Sequence, residues 1–289
     1  MIMKDTTTGL MLDRRGALTL GMVAASAAAL PAVAAPRRRT LDLANDEDAR
    51  LIYRKLRYRT DSGLLFSWVK GVYMAVIAGD LTPMYGINLG AISRVIQRAD
   101  GGFDLIDLEI SFRVDAATGA RLTKLLNPIT GETVPVVAKP QGPNRILVTR
   151  DNEVHISDLP SGVRYEHTHP PTRAFALGNE IMLRDRSHSR VIAPDGSVSM
   201  LNEVSTLSAP RATVLDPATT TINARLQAND VRSFPAWLKM DDRVGNLALF
   251  GNGAKVSRFA DIPQDWHAML RETFPAIAAD PVAALDRAG

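Results

Sequence analysis

The alternation of hydrophobic and polar residues is most regular between residues 106 and 114. A period of two over this length is typical of a β-strand with one apolar face and one polar face. Turn-forming sequences lie on both sides, Asp100-Gly101-Gly102 before the segment and Thr118-Gly119 after it. The pattern therefore predicts a strand over 103–114. Its apolar positions are Ile106, Leu108, Ile110, Phe112 and Val114, and its polar positions are Asp107, Glu109, Ser111 and Arg113.

Similar segments, separated by short turns, recur along most of the chain. Short spacings favour hairpins over helical crossovers, and about ten consecutive strands favour a closed or nearly closed barrel because closure removes exposed edges. We therefore predict a mainly β fold, an antiparallel, lipocalin-like (calycin-type) barrel. The predicted strands are 64–78, 87–98, 103–114, 120–126, 133–137, 145–149, 153–157, 174–184, 190–192 and 198–205.

Helical patterns occur only near the two ends of this β-rich region. Asn45 is a good N-cap and three acidic residues follow it, which predicts a helix over 46–59. Near the C-terminus, Pro263 suits the first turn of a helix and Trp266 and Leu270 share one face, which predicts a helix over 262–274. A second short helix is predicted over 281–287.

The first 34 residues have the pattern of a twin-arginine export signal. Arg14-Arg15 precede an alanine-rich apolar segment, and Ala32-Val33-Ala34 is a small-x-small cleavage site. The ordinary secretory route and an uncleaved anchor are the alternatives, but the apolar segment is shorter than the roughly 20 residues that span a bilayer. We expect passage through the twin-arginine translocase, cleavage near Ala34 and a periplasmic location. The predicted organisation is a signal peptide (1–34), a flexible arm (35–44) and a single barrel-like domain (45–289).

Composition excludes several classes of function. The chain has no cysteine, so disulfides, thiolate catalysis and iron–sulfur clusters are excluded. Its formal charge is +3 and its one basic run is Arg37-Arg38-Arg39, so no clustered basic surface for nucleic acid is expected. No Gly-x-Gly-x-x-Gly sequence occurs, and neither a nicotinamide nor a flavin cofactor is expected. No stable membrane span is expected either.

The most suggestive chemical residues lie in the segment Glu166-His167-Thr168-His169. Side chains alternate along an extended chain, so His167 and His169 would project to one face as a catalytic pair or as two ligands of a divalent metal. Glu166 beside them is a candidate general base. A third metal ligand would come from Glu180, His188 or His155. The alternative is a pair of solvated loop histidines.

A second candidate site lies on the first long predicted strand. Phe66, Trp68 and Lys70 share one face, and Tyr73 and Tyr85 lie nearby in sequence. In a small barrel such residues would form an apolar cup with one polar handle for a ligand. The alternative is that Trp68 belongs to the core and Lys70 lies in water.

Several segments together resemble a family of bacterial and fungal proteins known as domain of unknown function 1838. The resemblance extends over nearly all of the chain after the signal peptide, and it supports the fold and export but assigns no site. The matching segments are Leu41-Asp42-Leu43, Asp46-Glu47-Asp48, Lys55-Leu56-Arg57, Trp68-Val69-Lys70-Gly71, Asn127-Pro128-Ile129-Thr130-Gly131-Glu132 and Ser233-Phe234-Pro235-Ala236-Trp237.

These observations support three functional hypotheses. The first is an exported protein that binds a small, largely apolar molecule in a barrel pocket and transforms it by acid/base chemistry, as an isomerase, lyase or hydrolase. The second is a non-enzymatic periplasmic carrier that holds a hydrophobic ligand. The third is a structural or interaction protein of the cell envelope, which predicts a barrel filled by its own side chains.

Overall fold

The computed structural model describes residues 39–156, 162–170, 172–240 and 243–287. The predicted signal peptide and residues 35–38 of the predicted arm lie outside the described residues. Leu41, within the predicted arm, is buried and its backbone N–H donates to the carbonyl of Leu215 at 3.0 Å. The described residues belong to one compact unit.

Thirteen strands in the described part of the chain build the fold, and all paired strands are antiparallel. The long strands β1, β2 and β3 follow one another as hairpins. The strands are β1 (Gly63–Ile77), β2 (Asp80–Gln97), β3 (Phe103–Val114), β4 (Lys124–Leu126), β5 (Thr133–Pro135), β6 (Gln141–Val148), β7 (Val154–Ile156), β8 (Arg164–Thr168), β9 (Phe175–Leu177), β10 (Glu180–Ile192), β11 (Val198–Pro210), β12 (Ala224–Arg232) and β13 (Asn246–Val256).

One sheet of eleven strands curls into a nearly closed barrel. Its order is β7-β6-β3-β2-β1-β13-β12-β11-β10-β8, and β9 pairs with β10 beside β8. The two terminal strands, β7 and β8, are the edges on either side of the remaining gap. Strands β4 and β5 form a separate hairpin. The prediction of an antiparallel, lipocalin-like barrel is confirmed.

The helix α1 (Asp46–Arg57) covers one end of the barrel. The side chain of Asn45 accepts hydrogen bonds from the backbone N–H groups of Glu47 and Asp48, both at 3.1 Å, which satisfies two unpaired donors of the first turn. Ile52 and Leu56 are fully buried in a cluster with inward-facing residues from seven strands. Burying such side chains contributes roughly 1.5–3 kcal/mol each, so the packing of α1 stabilises this end of the barrel.

Lys255 on β13 links the C-terminal end of α1 to the barrel wall. Its Nζ donates to the carbonyls of Lys55 at 2.6 Å and Tyr58 at 2.5 Å. These carbonyls belong to the last turn of the helix, where backbone acceptors have no partner within the helix. Burial lowers the pKa of Lys255 to about 7, and its cationic form interacts favourably with the negative end of the helix dipole.

The C-terminal helices pack on the outer surface of β1, β2 and β3. Trp266 in α3 (Gln264–Thr273) is fully buried, and its Nε1 donates to the carbonyl of Ile110 at 3.0 Å. Gly90 on β2 makes room for the indole, because a Cβ there would overlap the ring. The short helices α2 (Arg211–Leu215) and α4 (Pro275–Ala279) and three 3₁₀ turns complete the described structure.

Several element boundaries differ from those predicted. The single strand predicted over 174–184 is in fact β9, a tight turn with Gly178 in the left-handed region at φ 57°, and the beginning of β10. Strand β10 continues to Ile192, and β11 continues to Pro210. Strands β8, β12 and β13 had no counterpart in the prediction.

No helix in the described ranges is both long enough and apolar enough to cross a bilayer.

Candidate functional site

The interior of the barrel contains a cavity of about 440 Å³. Its inner wall consists of the inward-facing side chains of strands from all around the barrel, including β1, β2, β3, β8, β10, β11 and β12. This volume lies within the range of roughly 300–1,000 Å³ that is usual for small-molecule sites. The hypothesis of a structural protein predicts a barrel filled by its own side chains. In the part of the chain that is described, the barrel is not filled in this way.

Strand β3 turns its polar face toward the cavity. Asp107, Glu109, Ser111 and Arg113 line the inner wall. The alternate residues, such as Ile110 and Phe112, are fully buried outside the sheet, beneath the C-terminal helices. The predicted division into two faces is correct, but the apolar face packs outward and the polar face lines the cavity.

Two histidines project from β8 and its C-terminal end into the cavity. Their rings are nearly parallel, with centroids 6.0 Å apart, so the predicted common face of His167 and His169 is present. His169 Nε2 lies 2.6 Å from Asp185 Oδ1, and the side chains of both residues are at least nine-tenths buried. An ionised carboxylate only accepts hydrogen bonds, so Nε2 carries the proton and the lone pair of the neutral ring is on Nδ1.

Asp185 on β10 has further donors that keep it ionised. The Tyr53 hydroxyl donates to Oδ2 at 3.2 Å, and Arg57 Nε lies 3.3 Å from the same oxygen. Burial opposes the charge, but the hydrogen bond from His169 and the Arg57 guanidinium outweigh it and hold the pKa of Asp185 below its usual range. We call His167, His169, Asp185 and Tyr53 the histidine cluster.

His167 is held by a hydroxyl pair rather than by a carboxylate. Its Nδ1 lies 3.0 Å from Ser189 Oγ and 3.2 Å from the Tyr165 hydroxyl, and these two oxygens are 2.8 Å apart. Burial lowers the pKa of His167, and the neighbouring His169 lowers it further. The ring is therefore neutral near pH 7 and able to accept a proton.

Two carboxyl groups on β3 lie on the inner wall with no ion-pair partner within 4.0 Å in the described structure. Asp107 accepts a hydrogen bond from Ser93 Oγ at 2.5 Å, and Glu109 accepts one from Gln141 at 3.4 Å. Burial raises the pKa of both groups, and the proximity of Asp107 adds to the effect on Glu109, whose pKa rises to about 7.

The raised pKa of Glu109 predicts a measurable pH dependence of stability. Because the folded state binds this proton more tightly than the unfolded state, the contribution to stability is present at low pH and is lost as pH rises from about 4.5 to about 7. We expect Glu109→Gln to become more stable than the native protein by up to about 3 kcal/mol above this window. Urea unfolding at about pH 5 and about pH 8 measures the difference.

Glu153→Gln is the matched control for this prediction, because Glu153 is exposed and its loss removes one negative charge outside the barrel. Equal pH dependence in Glu109→Gln and the native protein would show that Glu109 is solvated like an ordinary surface carboxyl. Comparing variants also cancels the opposite contribution of His167, whose lowered pKa makes stability rise with pH.

Aromatic residues line the end of the cavity opposite α1. Tyr73 and Tyr85 have ring centroids 5.2 Å apart, and Trp237 lies 5.5 Å from Tyr85. Asp230 accepts a hydrogen bond from the Tyr73 hydroxyl at 3.3 Å and forms a two-point ion pair with Arg232, at 2.8 and 2.6 Å. Two of the five predicted ligand-binding residues, Tyr73 and Tyr85, therefore lie on the inner wall.

The structure does not bring the other three predicted ligand-binding residues to the cavity. Phe66, Trp68 and Lys70 do share one face of β1, but this is the outer face. Phe66 packs on Phe259 with ring centroids 5.8 Å apart, and Lys70 Nζ donates to Asp265 at 2.6 Å. These three side chains anchor the C-terminal helices, because the alternate residues of β1 are the ones that face inward.

Glu166 is likewise on the outer surface, where Arg190 Nη1 donates to it at 2.8 Å. The suggested third metal ligands are elsewhere too. His155 and His188 are exposed, and Glu180 pairs with Arg225. No group of three or more imidazole or carboxylate side chains able to hold a metal ion occurs in the described residues.

Sequence reasoning found the two histidines but missed their partners. Tyr53 and Arg57 come from α1, and Asp185 comes from β10, which pairs with β8. The one signal that could have found the carboxyls of β3 is the presence of two acidic residues at alternate positions of a strand whose intervening residues are apolar. Such residues are exposed on most sheets, and only the direction of curvature places them inside.

Comparisons with known proteins concern the family rather than the reaction. No curated protein matches the chain. The crystal structure of an N-terminal dehydratase from the difficidin assembly line is similar over 78% of this chain and 89% of that chain, at 8% sequence identity and a TM-score of 0.14, a likeness too low to support an argument. A family model described as a protein of unknown function, DUF1838, matches residues 61–289. Because this match covers most of the chain, the protein belongs to the DUF1838 family, as its sequence resemblance predicted.

Proposed function

We propose that the protein binds a small molecule in the barrel cavity and transforms it by general acid/base catalysis, as an isomerase, lyase or hydrolase. The observation that carries the proposal is the histidine cluster, in which two imidazoles face the barrel cavity and one is oriented by a buried, ionised carboxylate. Imidazole is the side chain best suited to proton transfer near pH 7.

In this proposal, His167 has one role and the His169–Asp185 pair has another. His167, neutral because its pKa is lowered, would accept a proton from the substrate. Asp185 holds His169 in one tautomer and stabilises the imidazolium form of that ring if it takes up a proton. Glu109, with a pKa near 7, is a second group able to donate or accept a proton.

The wall determines the kind of molecule that fits. The sequence predicted a largely apolar ligand, and leucine, isoleucine and valine side chains do line part of the cavity. Charged side chains lie among them, including Asp107, Glu109 and Arg113, which have no ion pair within 4.0 Å in the described structure. We therefore propose an amphiphilic ligand with an apolar body and at least one polar group, since an entirely apolar one would leave these charges without an ionic partner.

Untargeted metabolite conversion tests the enzymatic proposal. The native protein and the His167→Ala/His169→Ala variant are each incubated with a small-molecule extract of bacterial cells, and mass spectrometry compares the two mixtures. The proposal expects at least one compound to be consumed, with a matching product, only by the native protein. Identical mixtures, with both proteins folded, would contradict it.

A carrier without catalysis is the second candidate, and the aromatic end of the cavity favours it. Tyr73, Tyr85 and Trp237 offer contact surface for a ligand without any group suited to proton transfer at pH 7. In that case extraction of the purified protein releases a retained compound that mass spectrometry identifies, and the compound is chemically unchanged after prolonged incubation with the protein.

We also propose that the protein is exported through the twin-arginine translocase to the periplasm. Support comes from the sequence of residues 1–34 alone. Replacing Arg14 and Arg15 together by lysine is expected to retain the uncleaved protein in the cytoplasm, since the translocase reads the arginine pair. Cell fractionation with antibody detection measures this, and unchanged periplasmic recovery of the lysine variant would instead indicate the ordinary secretory route.

A further inference from the structure

One stretch of the inner wall carries acidic side chains that make no ion pair in the described structure, although basic side chains, Arg113 and Lys255 among them, line the same cavity. Asp185 and Glu203 share the guanidinium of Arg57, at 3.3 and 3.9 Å, and Asp230 pairs with Arg232 at 2.6 Å. Asp107 and Glu109 have no ion pair within 4.0 Å in the described structure. Cationic groups act on them only from longer range.

The charges that face this stretch come from several elements. Arg57 on α1 favours the ionised form of Asp107, and Arg232 on β12 and Arg113 on β3 favour that of Glu109. Glu203 on β11 acts in the opposite direction on Glu109. Burial exceeds these favourable effects, since the pKa of both carboxyls is raised. An additional cation in the cavity would therefore find two incompletely compensated carboxylates.

A second and independent feature lies next to them on the same strand. Ser111 is only 2% exposed, lines the cavity, and its Oγ has no hydrogen-bond partner. Buried hydroxyl groups almost always have a partner, so an unpaired one at a cavity wall indicates a position that a ligand satisfies. A hydroxyl oxygen accepts hydrogen bonds as a carboxylate does.

The spacing suits one small cationic group held between two neighbours. Inward-facing residues of a strand recur every second position, so the three side chains form a row with about 7 Å between successive Cα atoms. An ammonium group, with three N–H donors and no acceptor, can therefore bond to Glu109 and Ser111 together, while Asp107 on the other side of Glu109 attracts it from longer range. A neutral hydroxyl group would leave the negative charges uncompensated.

We propose that Asp107, Glu109 and Ser111 form a subsite that binds the cationic group of the ligand, a protonated amine or a similar organic cation. This inference rests on the proposed function, because it requires that the cavity is a ligand site. It narrows the ligand to an amine-bearing, amphiphilic molecule, and we call the three residues the cationic-group subsite.

An opposite charge preference is the main competing outcome, because Arg113 follows on the same strand. It has no carboxylate within 4.0 Å in the described ranges, and its guanidinium lies 6.0 Å from the ring centre of Trp237. If Arg113 determined ligand charge, an anion would bind instead of a cation. The experiment therefore compares three probes of nearly equal size that differ in charge.

The probes are 2-phenylethylamine, 2-phenylethanol and 3-phenylpropionate, and isothermal titration calorimetry measures their binding to the full chain at about pH 8, where Glu109 is mostly ionised. We expect the amine, protonated at this pH, to bind at least about 10-fold more tightly than the alcohol, and the carboxylate to bind most weakly. Asp107→Asn/Glu109→Gln should abolish the preference for the amine over the alcohol, and Ser111→Ala should reduce it by a smaller factor.

Glu153→Gln is again the charge-matched control and should retain the preference. A tighter affinity for 3-phenylpropionate, or an amine preference that survives in the double variant, would overturn the subsite. Equal binding of all three probes would overturn it while leaving the cavity as a ligand site. Binding of none of them would count against both the subsite and the proposed ligand cavity.

Discussion

Replacing His167 and His169 together by alanine is expected to lower the rate of substrate conversion by a factor of about 10² to 10⁴, the usual contribution of a positioned acid or base. The two rings are the only imidazoles in the described structure that line the cavity. Removing them eliminates the proton acceptor and leaves Asp185 without the group that it orients. The measurement is the conversion rate of the compound identified by metabolite profiling.

The exposed histidines provide a matched control. His155→Ala/His188→Ala removes the same number of imidazoles from the outer surface and should leave the rate unchanged. Circular dichroism and thermal melting establish that each double variant retains the barrel. A double variant of the cavity histidines that is folded and fully active would remove both residues from the mechanism and leave the carrier as the better hypothesis.

A second replacement concerns stability rather than chemistry. Trp266→Ala is expected to lower the free energy of unfolding by about 3–5 kcal/mol, the range for removal of a fully buried large aromatic side chain. The indole fills the space above Gly90, contacts Phe112 and Phe259, and donates to the carbonyl of Ile110 at 3.0 Å. The urea midpoint, with the slope of the transition, measures the loss.

Trp266→Phe separates the contributions to this loss, because it keeps an aromatic ring and removes the N–H donor. We expect it to destabilise less than the alanine variant. Gln264→Ala, on the exposed side of the same helix, is the control and should change stability by less than about 0.5 kcal/mol. A loss below about 1 kcal/mol for Trp266→Ala would mean that the C-terminal helices contribute little to the stability of the barrel.

Local sequence patterns predicted the elements whose bounds are determined by neighbouring residues in the chain. The Asn45 cap and the acidic first turn specify where α1 begins, and the alternation over 103–114 specifies β3, whose bounds the structure reproduces. Strand β13 escaped prediction because it lacks clean alternation, whereas β12 does alternate from Ala224 to Asn229 but two of its three apolar positions there are alanine, which is a weak strand signal. Gly251 and Gly253 interrupt β13 where the backbones of neighbouring strands and side chains approach closely.

Only part of the candidate site could be predicted from the sequence, because alternation shows which residues share a face but not where that face points. Alternation specifies that His167 and His169 share a face, and it specifies equally that Phe66, Trp68 and Lys70 do. It does not specify which face of a sheet is concave. On β1 the face with the larger aromatic residues packs outward, because the C-terminal helices supply a better apolar surface there than the polar cavity. Tyr53 and Asp185, far apart in sequence, meet only through the tertiary fold.

The outward packing of the apolar face of β3 has a consequence for how this family can diversify. On this strand the packing that maintains the fold comes from the exterior layer of helices, whereas the residues that the proposed ligand would contact lie on the interior. Stability and the proposed recognition are therefore assigned to opposite faces of β3. One inward-facing polar residue of the strand can be exchanged for another, and the proposed ligand changed with it, without removing the apolar contacts that hold the helices in place.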